Sequence, residues 1–151
     1  MKKFKSVVIG FKFDEDPEVI NFLLGLEFLR ESSIHLVHMS ISLDFNSLLE
    51  INLAAYPSAE AKIIIEQAIL TKLSESKSRL LSKGFVGHID NHCIFTDNIK
   101  KGFCKYALEV NADLIILMPE KKHSLFGSFT HYQLAHANAP VMVLRPTRDE
   151  A

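Results

Sequence analysis

Five successive apolar residues, Leu114-Ile115-Ile116-Leu117-Met118, follow Ala112-Asp113 and leave no polar side to face water. A strand that is apolar on both faces is covered on both faces, as happens inside a parallel sheet with helices above and below it. Val7-Val8-Ile9-Gly10-Phe11 repeats the pattern in a β-branched form. Further strands are predicted over Ile34 to Ile41, over Val86 to Phe95 and over Pro140 to Pro146.

Helical signals fill the intervals. Asp16-Pro17-Glu18 combines an N-cap, a proline at the first helical position and an acid in the first turn. The face that follows is Val19, Leu23, Leu26 and Arg30, with Ile20, Leu24 and Phe28 beside it, which predicts a well-buried helix. Ile65, Ile69, Leu73 and Leu80 mark a second helix from Ala59 to about Ser82, closed by Lys83-Gly84. Thr96-Asp97 caps a third, with the stripe Ile99, Phe103, Tyr106 and Val110. Gly127-Ser128 opens a last one through Asn138. The order β-α-β-α-β-α-β-α-β, without repeat or low-complexity linker, predicts one doubly wound α/β sheet with helices on both faces. Ligands of such sheets sit outside the carboxyl ends of the strands, where the winding reverses.

Composition narrows the function classes. The 151 residues form a single expected domain, 1–151, and 48% of them are hydrophobic, enough for a core without disulfides or a structural metal. Seventeen basic and 18 acidic residues give a net charge of -1, against the basic excess of a nucleic-acid binder. No apolar run approaches the ~20 residues of a membrane span, and the run after the basic start ends at Lys12, short of a signal peptide. Cytoplasmic residence is the expectation. Cys93 and Cys104 form no C-x-x-C pair and are expected to be free, packed thiols.

Three fragments carry a resemblance to a known family: Asn111 to Met118, Leu125-Phe126-Gly127-Ser128-Phe129, and His136-Ala137-Asn138-Ala139-Pro140-Val141-Met142-Val143-Leu144-Arg145. In this order and spacing, with the second strand Ile-His-Leu-Val-His-Met, the chain resembles the universal stress protein family from Phe4 to Arg145. The resemblance implies a Rossmann-like five-stranded parallel sheet in the order 3-2-1-4-5, reversing between strands 1 and 4. It also implies a homodimer paired through the C-terminal strand, Val141, Met142, Val143 and Leu144. An adenine nucleotide, ATP above all, is the implied ligand.

The chain departs from the family's nucleotide motif, an acidic residue after strand 1 and a G-x-x-G-x9-G-[ST] loop after strand 4. Lys12 matches the acidic position unless a local shift brings in Asp14 or Asp16. Pro119 and Lys122 stand at the first two glycines, and only four residues separate Lys122 from Gly127. Pro119 has no N–H and carries a ring where a phosphate would approach. Gly127-Ser128 can offer backbone N–H groups and a hydroxyl to an anion, or simply cap a helix. In this the chain resembles the subgroup without the full glycine motif, and ATP binding is expected to be weak or lost. The candidate crevice comprises Lys12, Phe13, Asp14, Val37, Met118, Pro119, Lys122, Gly127, Ser128 and Phe129. Lys12 with Lys121, Lys122 and His123 could hold an anion across it, or be ordinary solvated charge.

Other constellations are weaker. His88 and His92 share a strand face but lie roughly 13 Å apart, too far to chelate one ion unaided. His35 and His38 fall on opposite faces, and His131 and His136 are poorly spaced on a helix, so no metal is expected. Ser128 has no evident base partner, and no catalytic residue is assigned; a slow nucleotide hydrolase is the enzyme that stays compatible. Strand 5 is an edge without protective charge, which calls for cover, by a second subunit or by residues 42–58. The segment Asp44 to Tyr56, with Leu48, Leu49, Ile51 and Leu53, is a further candidate interaction surface. The first reading is a homodimeric regulatory module of stress response; the alternative is a nucleotide or anionic-metabolite sensor.

Overall fold

The alternation of apolar side chains along each strand sorts them onto two faces, and each face receives its own helices. The computed structural model describes residues 3–41, 58–118 and 127–145. Its elements are β1 Ser6–Gly10, α1 Pro17–Leu24, a 3-10 turn Glu27–Leu29, β2 Ser33–Ile41, α2 Ser58–Ser82, β3 Ile89–Thr96, α3 Ile99–Glu109, β4 Leu114–Leu117, α4 Ser128–His136 and β5 Val141–Val143. All neighbouring strands pair parallel, in the order β3-β2-β1-β4-β5. The doubly wound sheet and its reversal between β1 and β4 are therefore present.

Val7, Ile9, Ile34, Leu36, Leu114 and Ile116 pack with Val19 and Leu23 of α1 and with Ile69, Leu73 and Leu80 of α2. Val8, Val37, Met39, Ile115 and Leu117 point the other way, onto Phe103 and Ala107 of α3. Val7, Val8, Ile9, Leu36 and Ile116 are wholly buried, each contributing about 1.5–3 kcal/mol relative to exposure. Asp113 ties the lower rim: its carboxylate accepts from Lys5 N at 2.8 Å and Ser6 N at 3.0 Å, satisfying the start of β1.

Local signals explain most boundaries. Asp16 caps α1 by accepting from Glu18 N at 2.9 Å, with Pro17 as its first residue. Gly84, at φ +91°, ends α2: Phe85 N donates to Leu80 O and Gly84 N to Leu81 O, a Schellman closure. Asn111, at φ 52°, closes α3 the same way, with Ala112 N on Ala107 O and Asn111 N on Leu108 O.

Four expectations are corrected. The first helix stops at Leu24 rather than running to Arg30: the ladder gives way to the tighter bonds Gly25 N to Phe22 O and Leu26 N to Leu23 O, Leu26 leaves the helical region at ψ 87°, and Leu29 reaches the core from a separate turn. Asn98, not Asp97, caps α3, accepting from Lys101 N at 3.1 Å. The third strand begins at Ile89, not Val86, which is 76% exposed. Gly87 occupies the intervening turn, where an added Cβ would lie 2.0 Å from Ser32 O. The last helix ends at His136, two residues short of Asn138.

Strand β5 pairs with β4 alone among the described residues and is an edge of the sheet. Met142 and Leu144 pack toward one core and Val141 toward the other, so the strand is apolar on both faces. Residues 42–58, the single-chain alternative for covering this edge, lie outside the described residues up to Ser58, as does the segment Asp44 to Tyr56.

Candidate functional crevice

At the carboxyl ends of β1 and β4 the adjacent connections leave in opposite directions and part. The gap is a cavity of about 380 Å³ lined by Gly10, Phe11 and Lys12 after β1, Val37 and Met39 of β2, Ile99, Lys100 and Phe103 of α3, Leu117 and Met118 at the end of β4, and Phe129 and Thr130 of α4. Its size is that of a small-molecule site, and its wall is apolar with two lysines, the composition that receives a flat or greasy group and an anionic tail.

Each wall has a local cause. Gly10 lets α3 come close: a Cβ there would sit 3.2 Å from the Phe103 ring. The Phe103 ring meets Phe129 edge-on at 5.3 Å, joining α3 to α4 across the floor. Gln133, fully buried, fixes the same pair of helices. Its Nε2 donates to Lys100 O at 2.9 Å and its Oε1 accepts from the Cys104 thiol at 2.9 Å. Burial pushes both thiol pKa values up, with nearby Glu66 adding to the effect at Cys93, and both cysteines are free.

The turn after β1 aims Lys12. Phe13 sits at φ 73°, a left-handed conformation that costs a bulky residue about 1 kcal/mol or more. Its ring is held by stacking on His38 at 4.9 Å and on Phe11 at 6.4 Å, with the Lys72 ammonium 5.2 Å away. His38 Nδ1 donates to Phe11 O at 2.7 Å. The Lys12 N–H donates to the Glu15 carboxylate, and burial raises the Glu15 pKa above its ordinary value against the pull of that bond. Lys12 Nζ then reaches over the Phe129 ring, 5.3 Å from its centre.

Of the residues anticipated from sequence, Lys12, Val37, Met118 and Phe129 come together around the cavity. Phe13 turns instead toward the core under α1 and α2, and Asp14 is exposed and not part of the lining. Gly127 and Ser128 begin α4 next to the lining residue Phe129 without lining the cavity themselves; Gly127 is the N-cap and Ser128 the first helical residue. Pro119, Lys121, Lys122 and His123 lie outside the described residues. Sequence reasoning missed Gly10, Phe11, Met39, Ile99, Lys100, Phe103, Leu117 and Thr130. The spacing of Ile99 and Phe103 identified a buried helix face, without revealing that its first turn borders a cavity.

A parallel sheet wound in both directions defines a doubly wound α/β protein, and its apolar cleft lies where the winding reverses, the position at which ligands of such sheets sit. The Universal stress protein family matches residues 3–145, and the chain belongs to that family. None of the curated proteins matches it. Among solved structures it is similar to the hypothetical protein MJ0577, with 19% identity, 98% of this chain and 100% of that chain covered, and a TM-score of 0.75. It is also similar to the universal stress protein from Archaeoglobus fulgidus in complex with dAMP (20% identity, 95% and 99% covered, TM-score 0.59). A third is the family protein from Arabidopsis thaliana with AMP bound (14% identity, 97% and 94% covered, TM-score 0.60). At these identities the likeness is one of fold.

Proposed function

We propose that the chain is a cytoplasmic, homodimeric regulatory module of stress response, a binding protein rather than a catalyst, whose crevice has a degenerate nucleotide site with weak or no affinity for ATP. The observation that carries this reading is the cavity between β1 and β4, apolar in its wall and bordered by Lys12 where the family resemblance implies an acid. An adenine ring fits such a wall by burial alone, and the similar structures with dAMP and AMP support that class of ligand. A triphosphate needs several convergent N–H donors, and in sequence Pro119 removes one and Lys122 replaces a glycine.

A second reading, a sensor of a nucleotide or other anionic metabolite with slow hydrolysis at most, is favoured by Lys12 and Lys100 both bordering the cavity. Titration calorimetry with ATP, AMP and cAMP separates the two. The first reading expects an ATP Kd above roughly 100 µM, or about -5.5 kcal/mol. A tight ATP Kd overturns it. Charge reversal of Lys12 together with Lys100 weakens binding of anionic ligands if the second reading holds, and leaves it unchanged if the lysines are solvated charge. Dimerisation through β5 is supported by its apolar faces at a sheet edge. Light scattering at micromolar concentration showing only monomer refutes it.

A further inference from the structure

Below the crevice, toward the amino ends of the strands, the face covered by α3 carries a second group of polar side chains. Parallel pairing sets His35 of β2 directly beside Asp90 of β3, and Val37 beside His92. Residues two apart on a strand share a face, so His35, Asp90 and His92 converge on one side of the seam. One ligand atom from each lies within 4.8 Å of the others, and all three residues are half-buried. The two imidazole rings stand 5.9 Å apart, and Tyr106 of α3 closes the group at 5.3 Å from His92 and 6.1 Å from His35.

We propose that His35, Asp90 and His92 form a binding site for a divalent transition-metal ion, Zn²⁺ by its chemistry, which clamps the edge strand β3 to β2. Two imidazoles and a carboxylate suit Zn²⁺ and disfavour Ca²⁺ and Mg²⁺, which take oxygen sets. Zn–ligand distances of about 2.0–2.2 Å place tetrahedral ligand atoms about 3.3 Å apart, so rotations moving these atoms by about 1.5 Å close the set around an ion. A water completes the four.

Two further contacts are the kind that orient metal ligands from outside. His88 Nε2 lies 2.8 Å from Asp90 Oδ1, and Tyr106 Oη lies 3.3 Å from His35 Nδ1.

The test is calorimetric titration of the untagged protein with ZnCl₂, alongside His92→Asn, Asp90→Asn and Cys93→Ser. The expected result is one Zn²⁺ per chain with a Kd of ~1 µM or tighter. His92→Asn and Asp90→Asn should each lose at least ~10-fold in affinity. Cys93→Ser should bind as the parent does. If the ligand variants fail to fold, the parent protein decides alone: substoichiometric Co²⁺ should broaden the His35 and His92 ring resonances ahead of those of His131 and His136. Absence of binding, equal binding by the ligand variants, or Co²⁺ broadening spread over all histidines overturns the proposal.

Discussion

Gln133 is the place where the wall of the crevice depends on one side chain. It is fully buried, and its amide bonds to Lys100 O at 2.9 Å and to the Cys104 thiol at 2.9 Å. In Gln133→Ala the amide hydrogen bond is lost, worth about 1 kcal/mol, and the thiol bond, worth less. Removing four buried side-chain atoms also leaves a void, which adds roughly 1–2 kcal/mol. The sum is about 2–3 kcal/mol, or a fall in Tm of roughly 4–12 °C for a domain of this length. Gln133→Leu should cost within about 1 kcal/mol, since the void is refilled and the Lys100 carbonyl keeps its place in the α3 ladder. Urea unfolding of both variants, with unchanged m-values, measures the two contributions. Equal losses in Ala and Leu would show that the hydrogen bonds, not the packing, hold α4 to α3, and would refute the reasoning.

Other perturbations test other parts of the account. Gly87→Ala places a methyl carbon 2.0 Å from Ser32 O and 2.7 Å from its carbonyl carbon. Neither neighbour is a flexible side chain, so a loss of about 3 kcal/mol or more is expected in thermal unfolding. Asp113→Ala strips the partner from Lys5 N and Ser6 N, at a cost of about 2–3 kcal/mol measured by urea unfolding. Raised thiol pKa values at Cys93 and Cys104 mean little thiolate at neutral pH. Both should react with iodoacetamide more slowly than a model thiol at pH 7.5, and faster as pH rises beyond the ordinary thiol range. The lowered His35 pKa means that the unfolded chain takes up the proton more readily. Stability from this residue is therefore full above the ordinary value near 6.5 and falls as pH drops below it. His35→Gln should flatten that part of a Tm-against-pH curve, with His88, His92 and Asp90 left in place.

How much of this was legible in the sequence depended on how local each signal was. Asp16-Pro17 and Lys83-Gly84 marked helix ends correctly, because capping and left-handed closure are decided by neighbouring residues. The doubly apolar run at Leu114 gave the covered strand, and the family resemblance gave its place in the order. Leu26 and Phe28 misled, since the helical spacing continues past Gly25 while the helix ends at Leu24. Val86 misled for a similar reason: β-branching suggests a strand, and only the approach of Gly87 to Ser32 shows that the backbone turns there. Lys12 and Met118 were found from the topology of strand ends. Lys100, Phe103 and Thr130 enter through helix packing, which periodicity reports as burial without saying against what. His35, Asp90 and His92 were invisible as a group, because spacing along one strand carries no information about a neighbour on the next, and it is the β2–β3 register that brings them together.

Pairing of the edge strand β5 between two chains and weak or absent ATP binding in the crevice are the two proposals that native mass spectrometry of the protein as purified reads at once. The expected result is the mass of two chains with no stoichiometric ATP. A single chain at micromolar concentration, or one retained ATP per chain, would contradict it.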